Sequence, residues 1–271
     1  MDARLQRRVQ RYGWDKAAAY YERFWARQLE PAQRRVLELA ALEPGDRVLD
    51  VACGTGLVTL PAAEAVGPAG SVLGTDISDE MVRSVQDAAS ARGLAQVSAR
   101  RMDAERLLVP DAAFDVALCA LGLMYVPDPL QALREIRRVL RPGGRVALAV
   151  WGARDRCGWA DIFPIVERRV ASEVCPLFFQ LGTGEALALN LEAAGFAGIT
   201  VERLASTLAY ESGADACGAA FAGGPVALAY DRFDEPTREE AHAEYLTSIA
   251  PYRRGAGYHV PGEFVVGVAY R

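Results

Sequence analysis

Three aspartates and two glycines carry the clearest chemistry in this chain. In "VLDVACGTG" (48–56) an apolar run ends on Asp50, and Gly54 and Gly56 follow. Asp76 closes "SVLGTD" and Asp103 closes "SARRMD", so three successive expected strands end on a carboxylate. A turn rich in glycine lets bare backbone approach a ligand closely. Two ligand classes fit. A dinucleotide turn has the form G-x-G-x-x-G/A, and here the third place is Thr59. Asp50 would face an incoming pyrophosphate, which is unfavourable, whereas it suits a ligand carrying an ammonium or another cation. Asp76 stands twenty positions after Gly56 (76 − 56), where a carboxylate accepts hydrogen bonds from ribose hydroxyls in either class. The same carboxylates could instead cap the turns that follow them.

Groups able to move a proton are scarce. His242 and His259 are the only histidines. His259, in "GAGYHVPGE", is a candidate base or a loop residue; His242, in the charged "REEAHAEY", reads as a surface residue. Cys53, Cys119, Cys157, Cys175 and Cys217 show no CxxC spacing and read as reduced thiols of a cytoplasmic protein. No Cys/His cluster suggests a metal. The net charge of −5 supplies no basic field for nucleic acid or anionic lipid, and no apolar run is long enough to span a membrane. Arg4, Arg7, Arg8 and Arg11 recur at helical spacing and read as a solvated face rather than a targeting signal.

The elements that must hold these residues alternate. Residues 15–41 read as two helices around Pro31, the first capped by Asp15. Strands are expected at 47–52, 71–77, 96–103, 114–123 and 145–152, mostly separated by helices; the helix at 128–144 sets Leu130, Leu133, Ile136, Val139 and Leu140 on one face. Such alternation implies parallel pairing with right-handed crossovers, an α/β doubly wound sheet with its ligand beyond the carboxyl ends of the strands. After 152 the pattern changes. Segments 153–181 and 212–249 read as helical cap insertions, and strands return at 198–210 and 262–271, so the chain reads as a single domain.

"VLDVACGTG", "GTDIS", "MDAE", "FDVALCALGLMYVPD" and "LREIRRVLRPGGRVALAVW", in that order, resemble the class I S-adenosylmethionine-dependent methyltransferases. Within that class the chain is most similar to the ubiquinone/menaquinone biosynthesis group. The resemblance covers residues 30–152 closely and the last two strands loosely. It implies a Rossmann-like sheet of seven strands with an antiparallel last strand. It also implies S-adenosylmethionine as cofactor, with S-adenosylhomocysteine as product. Matched position by position, Asp50 lies near the methionine amino group, and Gly54 and Gly56 approach the methionine and ribose. Ala52 stands where the family has glycine. Asp76 binds the ribose hydroxyls, Ile77 packs on the adenine face, and Asp103 and Ala104 read the adenine edge. Cys119 falls near the cofactor.

The sulfonium methyl is already activated, so alignment of the acceptor carries much of the chemistry. Tyr20 or Tyr21 could present an aromatic face to the sulfonium. Tyr125, Trp151, Tyr258 and His259 could line the acceptor site, while Trp25 reads as core. The cap aromatics Trp159, Phe163, Phe178 and Phe179 suit a small, partly apolar acceptor, or simply pack the cap onto the sheet. Met124 and Tyr125 replace the Arg-Asn of the quinone-pathway enzymes, a departure from ring C-methylation. No basic stripe with interleaved aromatics points to nucleic acid. A homodimer is compatible with this reading, as is a binding protein or cofactor-assisted cyclase of the same fold.

Overall fold

The structure, a computed structural model, describes residues 3–170 and 177–271. Cys175, singled out above, lies outside the described residues, as does part of the 153–181 segment. The first element is one long helix, α1 (Ala3–Ala40), with Pro31 inside it. The expected break at Pro31 does not occur. A mid-helix proline removes one hydrogen bond, but Trp25, Leu29, Ala32 and Val36 on both sides of it are buried against the core. That packing outweighs the local preference.

The remaining elements alternate as the periodicity implied. They are β1 (Arg47–Val51), α2 (Thr59–Val66), β2 (Ser71–Asp76), α3 (Asp79–Ala91), β3 (Val97–Arg101), β4 (Phe114–Ala120), α4 (Pro129–Val139) and β5 (Leu140–Trp151). α3 starts where the Ser78 hydroxyl accepts from Met81 N, with Asp79 and Glu80 in its first turn. α4 starts where Asp128 accepts from Gln131 N, with Pro129 at its first position. Its buried residues include Leu133, Ile136 and Val139, from the face expected. It ends at Val139 rather than 144, because Pro142 cannot continue a helix and Gly143 takes a positive φ of 75°.

The second half contributes α5 (Ile162–Glu167), α6 (Ala186–Ala193), β6 (Ala197–Tyr210), α7 (Gly213–Cys217), α8 (Ala227–Tyr230), α9 (Glu235–Ser248), β7 (Arg253–Arg254) and β8 (Gly257–Tyr270). The sheet runs β3-β2-β1-β4-β5-β8-β6, with the two-residue β7 paired to β8. β1 to β5 pair in parallel, whereas β8 pairs antiparallel with both β5 and β6. The sheet is therefore doubly wound and mostly parallel, with an antiparallel last strand. Its centre is apolar on both faces: Val48, Leu49, Val116, Ala117 and Leu118 are buried, and so is the run Val146–Val150. Strand order reverses between β1 and β4, which opens a crevice at their carboxyl ends.

Candidate active site

That crevice is a cleft of about 740 Å³. Ala52, Gly54, Asp76, Ile77, Asp103 and Ala104 all line it, drawn together from the ends of β1, β2 and β3. Asp76 is 7% exposed. One of its carboxylate oxygens accepts from Gly54 N at 3.0 Å and the other from Ser78 N at 2.9 Å. Each oxygen keeps a further lone pair for a ligand hydroxyl. Burial raises Asp76 to about 6, against the pull of those backbone N–H groups.

The glycine turn is built by backbone strain that only part of it is suited to. Gly54 and Gly56 sit at φ 55° and 98°, and Ala52 joins them at 58°. An alanine in that region is unfavourable by about 1–2 kcal/mol. Leu121, on the facing wall, is at φ 65°. Two strained non-glycine residues thus border one cleft, a pattern common at functional sites. A Cβ added at Gly122 would overlap the Ala52 methyl. Gly56 supports the turn from below, facing Leu60 and Val85, and does not line the cleft.

Asp50 lies deeper than expected. Fully buried, it accepts from Thr59 Oγ1 at 2.6 Å, and burial raises it to about 7. It lines a side pocket of about 280 Å³, which shares Tyr21, Ala52 and Gly54 with the main cleft. Gln33 and Thr55 line the same side pocket, and the buried Thr55 Oγ1 has no hydrogen-bond partner among the described residues. A buried hydroxyl without a partner is costly, so a polar ligand tail fits there. Cys119 is buried one residue below the cleft wall formed by Ala120, Leu121 and Gly122, and burial raises its thiol to about 12. It is a packed apolar residue.

α1 forms the outer wall. Arg7, Gln10, Trp14 and Tyr21 line the cleft from this helix. The arginine face is not simply solvated: Arg7 pairs with Asp103 at 2.9 Å and Glu105 at 2.6 Å, and Arg11 pairs with Asp79 at 2.5 Å. Asp15 caps no helix of its own. Its carboxylate accepts from Ser78 Oγ at 2.6 Å, tying α1 to the start of α3. Trp14 meets Tyr21 and Tyr125 edge-on, with ring centroids 5.8 and 5.0 Å apart.

Beyond that aromatic trio lies a second, narrow apolar chamber. Trp14, Tyr21, Leu121 and Tyr125 border both spaces. The chamber is completed by Trp25, Leu29, Met124, Trp151, Trp159, Phe178, Gly224 and Pro225. Met124 fixes one side, its sulfur accepting from Trp151 N at 3.5 Å.

Three residues expected at the site, Tyr20, Tyr258 and His259, lie elsewhere and line neither the cleft nor the chamber. Tyr20 is 48% exposed, about 100° round α1 from its neighbour Tyr21. His259 sits exposed on β8 in register with Ala209 of β6. Strand alternation explains it: Tyr258 and Val260, on either side, are buried. His242 is half-buried rather than superficial, its Nε2 2.9 Å from the Tyr230 hydroxyl. Trp14 was missed, although 7, 10, 14, 21, 25 and 28 repeat at helical spacing and mark the stripe of α1 that faces the site.

Residues 48–144 match the family described as a methyltransferase domain. The nocamycin O-methyltransferase of Saccharothrix syringae is 39% identical over 135 residues, which cover 50% of this chain and 48% of that protein. The ubiquinone/menaquinone biosynthesis C-methyltransferase of Ectopseudomonas mendocina is 44% identical over 115 residues, 42% of this chain and 45% of its own. The matched stretch thus spans about half the length of these relatives. Among solved structures, the [4+2]-cyclase SpnF superposes with a TM-score of 0.57 at 25% identity, covering 89% of this chain and 80% of that one. Residues 48–144 thus match a methyltransferase domain, and the sheet around them is the mostly parallel, Rossmann-like one with an antiparallel last strand.

Proposed function

We propose that this protein transfers the methyl group of S-adenosylmethionine to a small, partly apolar acceptor. The observation that carries the reading is adjacency. A cleft with Asp76 and Asp103 in its lining shares Trp14, Tyr21, Leu121 and Tyr125 with an aromatic chamber. The cleft suits a nucleoside: Asp76 for the ribose hydroxyls, Ile77 and Met102 for the adenine faces, Asp103 and Ala104 for its edge. The side pocket suits the amino-acid tail, with Asp50 toward its ammonium and Gln33 and Thr55 for its remaining polar atoms. Tyr21 and Tyr125 stand at the junction, where an aromatic face stabilises a cation. The cofactor supplies an activated methyl; the protein's part is to align the acceptor and exclude water.

The cap segments fit the acceptor role. Trp159 and Phe178 come from 153–181, and Gly224 and Pro225 from 212–249, and all four wall the chamber. Among the described residues no helix is long and apolar enough to cross a membrane. The described cysteines are all free and buried, in keeping with a cytoplasmic protein acting on a small molecule.

The test is direct. Incubation with S-adenosylmethionine and a panel of aromatic acceptors should release S-adenosylhomocysteine, measured by mass spectrometry. Asp76→Ala should weaken S-adenosylhomocysteine binding about 100-fold, from the loss of charged hydrogen bonds to two hydroxyls, with an unchanged circular dichroism spectrum. Unaltered affinity in that variant removes Asp76 from the ribose site. A second reading, cofactor-assisted cyclisation, is favoured by the lack of a base in the chamber and by the likeness to SpnF. Cofactor binding with no methyl transfer to any acceptor would select it.

A further inference from the structure

The chamber combines two features that together specify the acceptor. First, its described lining holds no carboxylate, imidazole, amine or guanidinium. Its ionisable groups are the phenols of Tyr21 and Tyr125, and burial, reinforced by the Asp76 carboxylate, raises Tyr21 further above its ordinary value. No group there can take a proton from an acceptor at neutral pH. Second, two indoles of the lining keep hydrogen-bond donors with nothing to donate to. Trp25 and Trp159 are 6% and 3% exposed, and the Nε1–H of each is buried without a partner among the described residues. The two rings lie 6.3 Å apart, centroid to centroid, and both line the chamber. The Trp25 nitrogen edge abuts the 223–225 turn: a Cβ built on Gly223 would sit 3.3 Å from its Nε1. Gly224 and Pro225 of that turn wall the same chamber.

We propose that the acceptor is a flat, apolar molecule bearing an oxygen that is already ionised at neutral pH, a carboxylate or an equally acidic enol, and that the Trp25 and Trp159 N–H groups bind its oxygens. The inference rests on the methyltransferase reading and narrows it to O-methylation. An anion in an apolar chamber needs hydrogen-bond donors and a nearby positive charge. The indoles supply the donors, and the cofactor's sulfonium supplies the charge. Buried indole N–H groups ordinarily find a partner, so two without one in the lining of a single chamber point to a ligand. In the transfer, the acceptor oxygen forms the new O–CH3 bond as the S–CH3 bond breaks, and the S–CH3 electron pair remains on sulfur. The anion is neutralised to an ester or enol ether, and no proton is left for the protein to remove. A neutral phenol or an ammonium would arrive with a proton that the chamber cannot accept.

The experiment uses three naphthalene probes, 2-naphthoate, 2-naphthol and 2-naphthylmethylamine, the last an ammonium at neutral pH. Calorimetry with S-adenosylhomocysteine comes first: absence of binding there removes the methyltransferase reading itself. With sinefungin bound, an analogue whose ammonium stands in for the sulfonium, and the protein 15N-labelled at its indoles, 2-naphthoate should shift the Trp25 and Trp159 Nε1–H resonances downfield. Trp25→Phe and Trp159→Phe assign those signals. Each variant keeps an aromatic ring, and each should weaken 2-naphthoate binding about tenfold, the order of one hydrogen bond to a charged group. Their affinity for S-adenosylhomocysteine should stay unchanged. With S-adenosylmethionine, methyl 2-naphthoate should form and the ethers or amines of the other two probes should not. Unmoved indole resonances at saturating sinefungin and 2-naphthoate overturn the proposal, as does faster methylation of 2-naphthylmethylamine or 2-naphthol than of 2-naphthoate.

Discussion

Asp50 and Asp76 carry protons that a carboxylate normally loses well below neutrality. Burial raises them to about 7 and about 6. Both folded-state values exceed the ordinary one, so the unfolded chain releases these protons first as pH rises. The ligand-free protein is therefore favoured below about pH 4 by these two groups and loses that contribution up to about pH 7. A ligand with an ammonium and ribose hydroxyls has the opposite preference, since it binds the ionised forms. S-adenosylhomocysteine affinity should accordingly rise, by up to about tenfold per unit, between about pH 5 and 7, then level off. Calorimetry in buffers of differing ionisation enthalpy checks this; flat affinity across that range would contradict it. A second residue-scale prediction concerns Ala52 and Gly122. Ala52→Gly relieves the positive φ and should stabilise the fold by about 1 kcal/mol after the entropy of glycine is subtracted. Gly122→Ala should destabilise it by about 1–3 kcal/mol, through overlap with the Ala52 methyl. In the double variant that methyl is gone, and most of the loss should be recovered. Denaturant titrations of the four proteins measure the coupling, and additive effects would refute it.

At the scale of elements, α1 is the part whose role the residues alone concealed. Its first half turns Gln6, Gln10, Gly13 and Ala17 inward, a polar and small-residue face that packs weakly. The second half buries Trp25, Leu29, Ala32 and Val36. Such a gradient lets the first half open locally while the second stays docked. Ion pairs of Arg7 with Asp103 and Glu105, and of Arg11 with Asp79, hold it over the cleft. Glu105 is buried, so its pair with Arg7 is screened less than a surface bridge. Arg7→Ala should speed S-adenosylhomocysteine release about fivefold, and salt should accelerate release in the natural protein more than in the variant. Stopped-flow displacement at two ionic strengths reads both effects; identical rates would show that this end of the helix does not latch the cleft.

Taken whole, the molecule was most readable where function depends on neighbours in the chain. The turn 50–56 and the strand ends at Asp76 and Asp103 announce themselves by local spacing, and alternation of periods 2 and 3.6 specifies a doubly wound sheet. The chamber was readable only in part. Trp151, Trp159 and Phe178 suggest an acceptor pocket, whereas Trp25, Met124 and Gly224 join them from distant segments and alone look like ordinary core. His259 drew attention because it is one of two histidines, yet strand alternation turns it outward. Pro31 illustrates the same limit: a local helix breaker was overridden by contacts that only the folded chain provides.

β8 lies between β5 and β6, which share no direct pairing with each other. During synthesis β6 emerges without its sheet neighbour and must wait, edge exposed, for a segment made after three further helices. β1 to β5 can close on their own parallel ladders in the meantime. The nucleoside-binding half is thus able to mature early, and joining the two halves is a late, slow stitch made by a single returning strand.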